Sequence, residues 1–186
     1  MASEPSSDLP AVPKSIVLIG LMGAGKSAVG RRLAARLGLP FIDADAEIEK
    51  AAGCSIEDIF ATHGEAAFRD GERRVIARLI KGPKAVLATG GGAFMAAQTR
   101  EIIQKHGISV WLRADLDLLL ERTSRRAHRP LLKQGNPRQI LARLIEERYP
   151  VYAQADTVVD SANVPLQVMV DRVAAALYDY LQRAES

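Results

Sequence analysis

A single cysteine, Cys54, among 186 residues leaves this chain no intrachain disulfide and no cysteine-built zinc site, which suits a reducing compartment. Cys54 itself reads as a small packing residue. Aromatic residues make up only 5% of the chain. The most basic stretch, 122–137, contains no Phe, Tyr or Trp, so it lacks the stacking platform that single-stranded nucleic acid needs, and no nucleic-acid partner is expected. No apolar run reaches the ~20 residues of a membrane-spanning helix, so no membrane partner is expected either. Residues 1–13 have neither the apolar core of a signal peptide nor the arginines of a transit sequence. They read as a disordered tail, with the cytoplasm as the expected location. Charge of either sign is scarce in excess: 25 Lys and Arg stand against 22 Asp and Glu, a balance that suits an anionic small molecule but does not by itself select one.

Two motif absences narrow the class further. Many phosphate-loop proteins end a later strand in an aspartate that holds Mg²⁺ through water, whereas here Ala85-Val86-Leu87-Ala88-Thr89 runs into Gly90-Gly91-Gly92. A motor-type or switch-type nucleotide hydrolase is therefore disfavoured. An Asn-Lys-x-Asp run of the kind that reads guanine is also missing, which points to ATP.

What is present begins with Gly20-Leu21-Met22-Gly23-Ala24-Gly25-Lys26-Ser27, set between the apolar run Ser15-Ile16-Val17-Leu18-Ile19 and a helical pattern starting at Lys26. Strand, glycine-rich loop and helix in that order form a phosphate-binding loop. Its successive N–H groups, from Gly23, Ala24, Gly25, Lys26, Ser27 and Ala28, can curl around a phosphate at the positive end of a helix. Lys26 is placed to reach the β- and γ-phosphates. Ser27 offers a hydroxyl to Mg²⁺, a hard ion that prefers oxygen ligands.

Further along, strand and helix signals alternate, which implies an α/β fold with a mainly parallel sheet. Strands are expected at 15–19, 40–43, 85–89, 109–112 and 157–160. The first helix carries Val29, Leu33 and Leu37 at spacing four and should stop at Gly38. Ser55-Ile56-Glu57-Asp58 resembles a capping box. Leu166, Met169, Val173, Leu177 and Leu181 form a core stripe on the last helix.

Asp43 and Asp45 close the second expected strand, where residues two apart point to the same side. Phosphoryl transfer to an alcohol needs an acceptor for the hydroxyl proton and a polar group near the metal. Asp43 is expected on the metal side and Asp45 on the substrate side, with helix capping as the competing role for either. The glycines 90–92 lie where ligands bind in open α/β sheets. Arg69 and Arg148 can each grip a carboxylate through two parallel hydrogen bonds or merely face solvent. The basic segment near 123–137, which includes Arg129, reads as a mobile lid that can fold over a nucleotide.

Taken together, residues 20–27, Asp43-Ala44-Asp45, Phe68-Arg69, Gly90-Gly91-Gly92, Arg129-Pro130-Leu131-Leu132 and Glu147-Arg148-Tyr149-Pro150 resemble, in order, the motifs of the shikimate kinase family. The resemblance spans 14–186 as one domain. It implies a three-layer α/β/α fold of the P-loop, nucleoside monophosphate kinase-like type, with a central five-stranded parallel sheet and a lid. It implies transfer of the ATP γ-phosphate to the 3-hydroxyl of shikimate, the fifth step of the chorismate route to aromatic amino acids, with Mg²⁺ as cofactor and a monomeric state. By the same resemblance Asp45 holds the shikimate hydroxyls and is the candidate base. Arg69 and Arg148 clamp the carboxylate, Gly91 donates its N–H, and Phe60 and Phe68 line the ring pocket. Catalysis would rest on Asp45, Lys26 and Arg129, nucleotide binding also on Arg122, Arg129, Asn163 and Pro165, and the metal on Ser27 and Asp43. A gluconate-type kinase and a catalytically silent nucleotide-binding module remain as rival readings at this level.

Overall fold

A computed structural model describes residues 11–125 and 135–186. Five strands, β1 (Ser15–Ile19), β2 (Phe41–Asp43), β3 (Val86–Ala88), β4 (Gly107–Arg113) and β5 (Thr157–Asp160), form one sheet in the order β2-β3-β1-β4-β5. Every neighbouring pair is parallel. Parallel pairing requires a crossover between strands, and those crossovers cover both faces of the sheet. The central strands accordingly read as continuous apolar runs, and Ser15–Ile19 and Val86–Ala88 are buried throughout.

The seven helices among the described residues are α1 (Lys26–Leu37), α2 (Ala44–Ala52), α3 (Ile56–Lys81), α4 (Ala97–His106), α5 (Leu116–Ser124), α6 (Pro137–Tyr152) and α7 (Leu166–Ala184). Their starts follow from local chemistry. Asp43, Ser55, Asp115 and Asn136 each cap a helix by accepting from main-chain N–H groups of its first turn. Gly38 closes α1 in the left-handed conformation, as expected. Met169, Val173, Leu177 and Leu181 of the stripe on α7 are buried, with Leu166 packed against the core at its edge.

Four expectations are corrected. Strand β3 is shorter than 85–89, because the Ala85 N–H is taken by the Ser15 hydroxyl (3.1 Å) and Thr89 turns its hydroxyl to the Leu18 carbonyl (3.1 Å). Strand β4 is longer than 109–112, since Gly107 and Ile108 already pair with Ser15 and Ile16. The chain enters α2 directly after Asp43, so Asp45 lies in the first turn of a helix and not on an extended strand. Within the expected tail, residues 1–10 lie outside the described residues, but Val12 is 5% exposed and its carbonyl accepts from Lys84 Nζ (3.0 Å).

Helix α3 bends at Gly64, whose φ of 81° and ψ of 176° belong to a region only glycine occupies readily. A Cβ at Gly64 would meet nothing within 4 Å, so the demand is purely conformational. Gly71, seven residues on in the same helix, also has open space but an ordinary backbone. The two glycines are therefore expected to respond oppositely to alanine. Gly64→Ala should destabilise by about 1–3 kcal/mol, whereas Gly71→Ala should stabilise by up to about 1 kcal/mol through helix propensity. Urea unfolding of both variants checks this; shifts of the same sign would show that the bend is not held by backbone conformation.

Candidate active site

Ligand sites in open parallel sheets lie beyond the carboxyl ends of the strands, where the strand order reverses. Here that edge is made by the loop after β1, the start of α2 after β2, and the loop 89–92 after β3. The loop after β1 carries three glycines with positive φ, Gly20, Gly23 and Gly25. Helix α1 starts at Gly25 with no side-chain cap and no acidic residue in its first turn, so its leading N–H groups remain available to an anion. Lys26 folds back into this loop, its Nζ donating to the carbonyls of Gly20 (2.7 Å) and Leu21 (3.1 Å). Ser27 and Ala28 are exposed beside it.

Arg122, on α5, ties this loop to the segment that follows β5. Its guanidinium donates to the carbonyls of Gly23 (3.2 Å) and Ala24 (3.3 Å), to the Ser161 hydroxyl (3.0 Å) and to the Ala162 carbonyl (2.9 Å). Ser161 in turn donates to Ala24 (3.0 Å). Partial burial pulls the Arg122 pKa below its ordinary value. Asn163 and Pro165, which follow Ala162 closely in the chain, are exposed, and Pro165 stands at the start of α7.

The loop 90–92 brings three charged residues together in the space its missing side chains leave. A Cβ at Gly90 would sit 2.9 Å from an Asp45 carboxylate oxygen. One at Gly91 would sit 2.8 Å from Arg148 Nη1, and one at Gly92 only 2.6 Å from the Arg69 guanidinium carbon. Three consecutive glycines therefore each admit one charged group, from α2, α6 and α3 respectively. A side chain at any of the three positions would displace the charged end that meets it.

Of those charged groups, Arg69 is braced from behind. Arg69 Nη1 pairs with Glu72 at 2.8 Å, and Glu72 is 2% exposed. Burial pushes the Glu72 carboxyl up, opposed by its hydrogen bond and ion pair with Arg69. The Arg69 guanidinium also lies 5.1 Å over the Phe68 ring. Phe60, across the Gly64 bend, stacks on Phe68 with ring centroids 4.6 Å apart and remains 37% exposed. An apolar wall thus adjoins the guanidinium. Arg148 stands one turn from the end of α6, beside Tyr152.

The two aspartates have separate environments. Asp43 Oδ1 accepts from the N–H groups of Asp45 (3.0 Å) and Ala46 (3.3 Å), the capping role that had competed with a metal role. Those bonds fix the carboxylate at the end of β2. Asp45 is half-buried, and its pKa is raised first by burial and then by the negative charge of Asp43, with Lys26 pulling the other way. Arg129 lies outside the described residues, as does most of the expected lid; α5 runs to Ser124 and α6 begins at Pro137.

Two residues escaped the sequence reading. Glu72 sits three residues after Arg69, a spacing that pairs charges on one helix face and could have flagged it. Tyr152 carried no signal, because the carbonyl its hydroxyl meets, that of Gly91, comes from another element.

Comparison with known proteins agrees with this geometry. A family model described as shikimate kinase matches residues 22–178. The shikimate kinase of Paramagnetospirillum magneticum is 64% identical over 170 residues, covering 91% of this chain and 87% of that protein. The shikimate kinase of Rhodopseudomonas palustris is 60% identical over 168 residues, covering 90% and 83%. Among solved structures, the shikimate kinase of Acinetobacter baumannii in complex with shikimate superposes with a TM-score of 0.86 at 38% identity, covering 91% of this chain and 95% of that one. With a family match over most of its length, relatives at this identity and the same fold, the chain belongs to the shikimate kinase family.

Proposed function

We propose that the clearing over Gly90, Gly91 and Gly92 is the acceptor site of this kinase, with Asp45, Arg69, Gly91 and Arg148 as its polar contacts. As a member of its family the chain transfers the γ-phosphate of ATP to the 3-hydroxyl of shikimate, giving shikimate 3-phosphate and ADP. The observation that carries the assignment is the convergence of one carboxylate and two guanidinium groups on three adjacent residues without side chains.

Division of labour follows from charge. Arg69 and Arg148 offer planar forks to the acceptor's carboxylate. The pair Arg69–Glu72 holds one fork in a fixed orientation before substrate arrives. Phe60 and Phe68 face the ring, and the Gly91 N–H donates to a hydroxyl. Asp45 takes the proton of the reacting hydroxyl as its oxygen bonds to the γ-phosphorus and ADP departs. A carboxylate with a raised pKa is a stronger base than an ordinary one and suits that task. Lys26 supplies positive charge at the β- and γ-phosphates, and the N–H groups of 23–28 hold the phosphate chain. Arg122, Asn163 and Pro165 border the expected adenine position. Arg129 is assigned to the transferring phosphoryl group on the family motif alone.

The donor set fits Mg²⁺. Ser27 and Asp43 provide a hydroxyl and a carboxylate, both hard oxygens, and among the described residues no group of three or more His, Cys, Asp or Glu forms a closed metal cage. Mg²⁺ commonly takes one or two protein ligands and completes its shell with water and phosphate oxygens. Ser27 and the free edge of Asp43 would hold it, and when bound it neutralises charge on the phosphates. No described helix is long and apolar enough to cross a membrane. A monomeric enzyme of the cytoplasm is the form that the family motifs imply.

Three outcomes are expected. ADP release with ATP and Mg²⁺ should require shikimate and not occur with gluconate or without acceptor; release with gluconate alone would reassign the acceptor. Arg148→Ala should raise the shikimate KM on the order of 10–100-fold, the loss of a charge-assisted hydrogen bond, and leave the KM for ATP within twofold; an unchanged shikimate KM would remove Arg148 from the clamp.

The third concerns Asp45, whose folded pKa lies above its unfolded value. Stability is then full below the unfolded pKa and is lost as pH rises through the folded one, so ionised Asp45 costs stability at neutral pH. Asp45→Asn should lower kcat by ~10²–10⁴-fold yet raise Tm at neutral pH, by about 2–4 °C for each kcal/mol relieved. That gain should vanish in acid below both pKa values. Carboxyl ¹³C titration should place Asp45 above the usual aspartate range and move it down in Asp43→Asn, which keeps the capping oxygen. A lower Tm for Asp45→Asn at neutral pH would refute the destabilised carboxylate.

A further inference from the structure

Tyr152 is fully buried at the last position of α6, and its hydroxyl is used by neither the fold's ladders nor the proposed chemistry. That hydroxyl donates to the carbonyl of Gly91. The Arg148 guanidinium, one helical turn earlier, stands close by: a Cβ on Gly91 would lie 2.8 Å from Arg148 Nη1 and 3.6 Å from the Tyr152 oxygen, and its positive charge opposes the upward push of burial on the phenol. Its ring is fixed by Trp111 (5.8 Å between centroids), Tyr149 (6.1 Å) and Phe94 (6.5 Å). A side chain so enclosed has one accessible orientation, and its oxygen is held where two acceptor-site groups meet it.

We infer that Tyr152 is a positioning residue that couples the Arg148 guanidinium to the Gly91 peptide through its hydroxyl, setting the affinity for the acceptor. This rests on the acceptor-site reading above. The physical case begins with the loop. Gly90, Gly91 and Gly92 have no side chains to restrict their backbone, and glycine has the most conformational freedom to lose. The carbonyl of Gly91 shares its peptide plane with the N–H of Gly92, so tethering it limits ψ of Gly91 itself. Arg148 is a long, flexible side chain whose useful orientation carries an entropic cost. One hydroxyl that donates to the carbonyl while standing beside the guanidinium restrains both at once.

Tyr149 supplies an internal comparison on the same turn of helix. Its hydroxyl donates to the Ala114 carbonyl at the end of β4, and burial raises its pKa to about 12. It therefore anchors the same helix end through the same kind of bond, but to a carbonyl outside the acceptor clearing. A purely structural role would make the two tyrosines equivalent. The inference makes them different.

The test compares Tyr152→Phe and Tyr149→Phe with the parent chain in steady-state kinetics and thermal unfolding. Both variants keep the ring and lose a hydroxyl-to-carbonyl bond, so a comparable fall in Tm is expected. Tyr152→Phe alone should raise the shikimate KM about tenfold, the loss of one hydrogen bond, with the KM for ATP within twofold and kcat changed less than KM. A shikimate KM within twofold of the parent, or an equal rise in Tyr149→Phe, overturns the inference. Arg148→Ala in the same series separates the two readings. If it raises the shikimate KM and Tyr152→Phe does not, only the coupling fails; if neither moves, the clamp itself fails. Should Tyr152→Phe not fold, the unmodified protein is read instead by the ¹³Cζ resonance of Tyr152. That signal should shift on saturation with shikimate and not with ADP, and a resonance that stays put overturns the inference.

Discussion

The meeting of three charged groups over Gly90, Gly91 and Gly92 governs the proposed acceptor site of this protein. The loop after β3 could carry almost any residue as far as its backbone is concerned at Gly92, whose φ is −90°. What a side chain there would change is the placement of the charged ends that meet the loop. Asp45, Arg148 and Arg69 arrive from three different helices, α2, α6 and α3, and each occupies the space a Cβ would need. The convergence of like-charged arginines and a carboxylate on one point is unfavourable to desolvate, and the structure answers with Glu72 behind Arg69 and the Tyr152 hydroxyl beside Arg148.

That arrangement explains why the carboxyl edge of the sheet holds chemistry while its core holds stability. The central strands are buried and apolar, and their parallel order is sustained by helices on both faces. At their ends the chain must leave the sheet, and there the backbone N–H groups of the loop after β1 and the side chains of α2, α3 and α6 point into one cleft. Arg122 links the two halves of the nucleotide side by bonding both the loop after β1 and the segment after β5. The strain accepted at Asp45, a carboxylate kept partly out of water beside another, belongs to the same pattern: residues poised for reaction are seldom in the environment that would stabilise them best.

Much of this was legible in the residues alone. Apolar runs bounded by glycine and polar residues located all five strands, because a parallel strand buried on both faces must be apolar along its whole length. Gly38, Ser55 and the stripe on α7 were equally readable, since helix ends and helix faces are local. The phosphate loop could be placed by its spacing, because its function depends on consecutive backbone groups. The sequence by itself therefore determined the α/β class, the nucleotide loop and the set of candidate side chains, all properties carried by neighbours along the chain. Tertiary structure alone decided the rest. It put Asp45 on a helix, since the cap at Asp43 ends the strand. It bent α3 at Gly64, revealed Glu72 as the partner of Arg69, and matched each of three glycines to one charged group. The glycine matches join residues tens of positions apart, and no local pattern encodes a distance that exists only after the sheet has closed its crossovers.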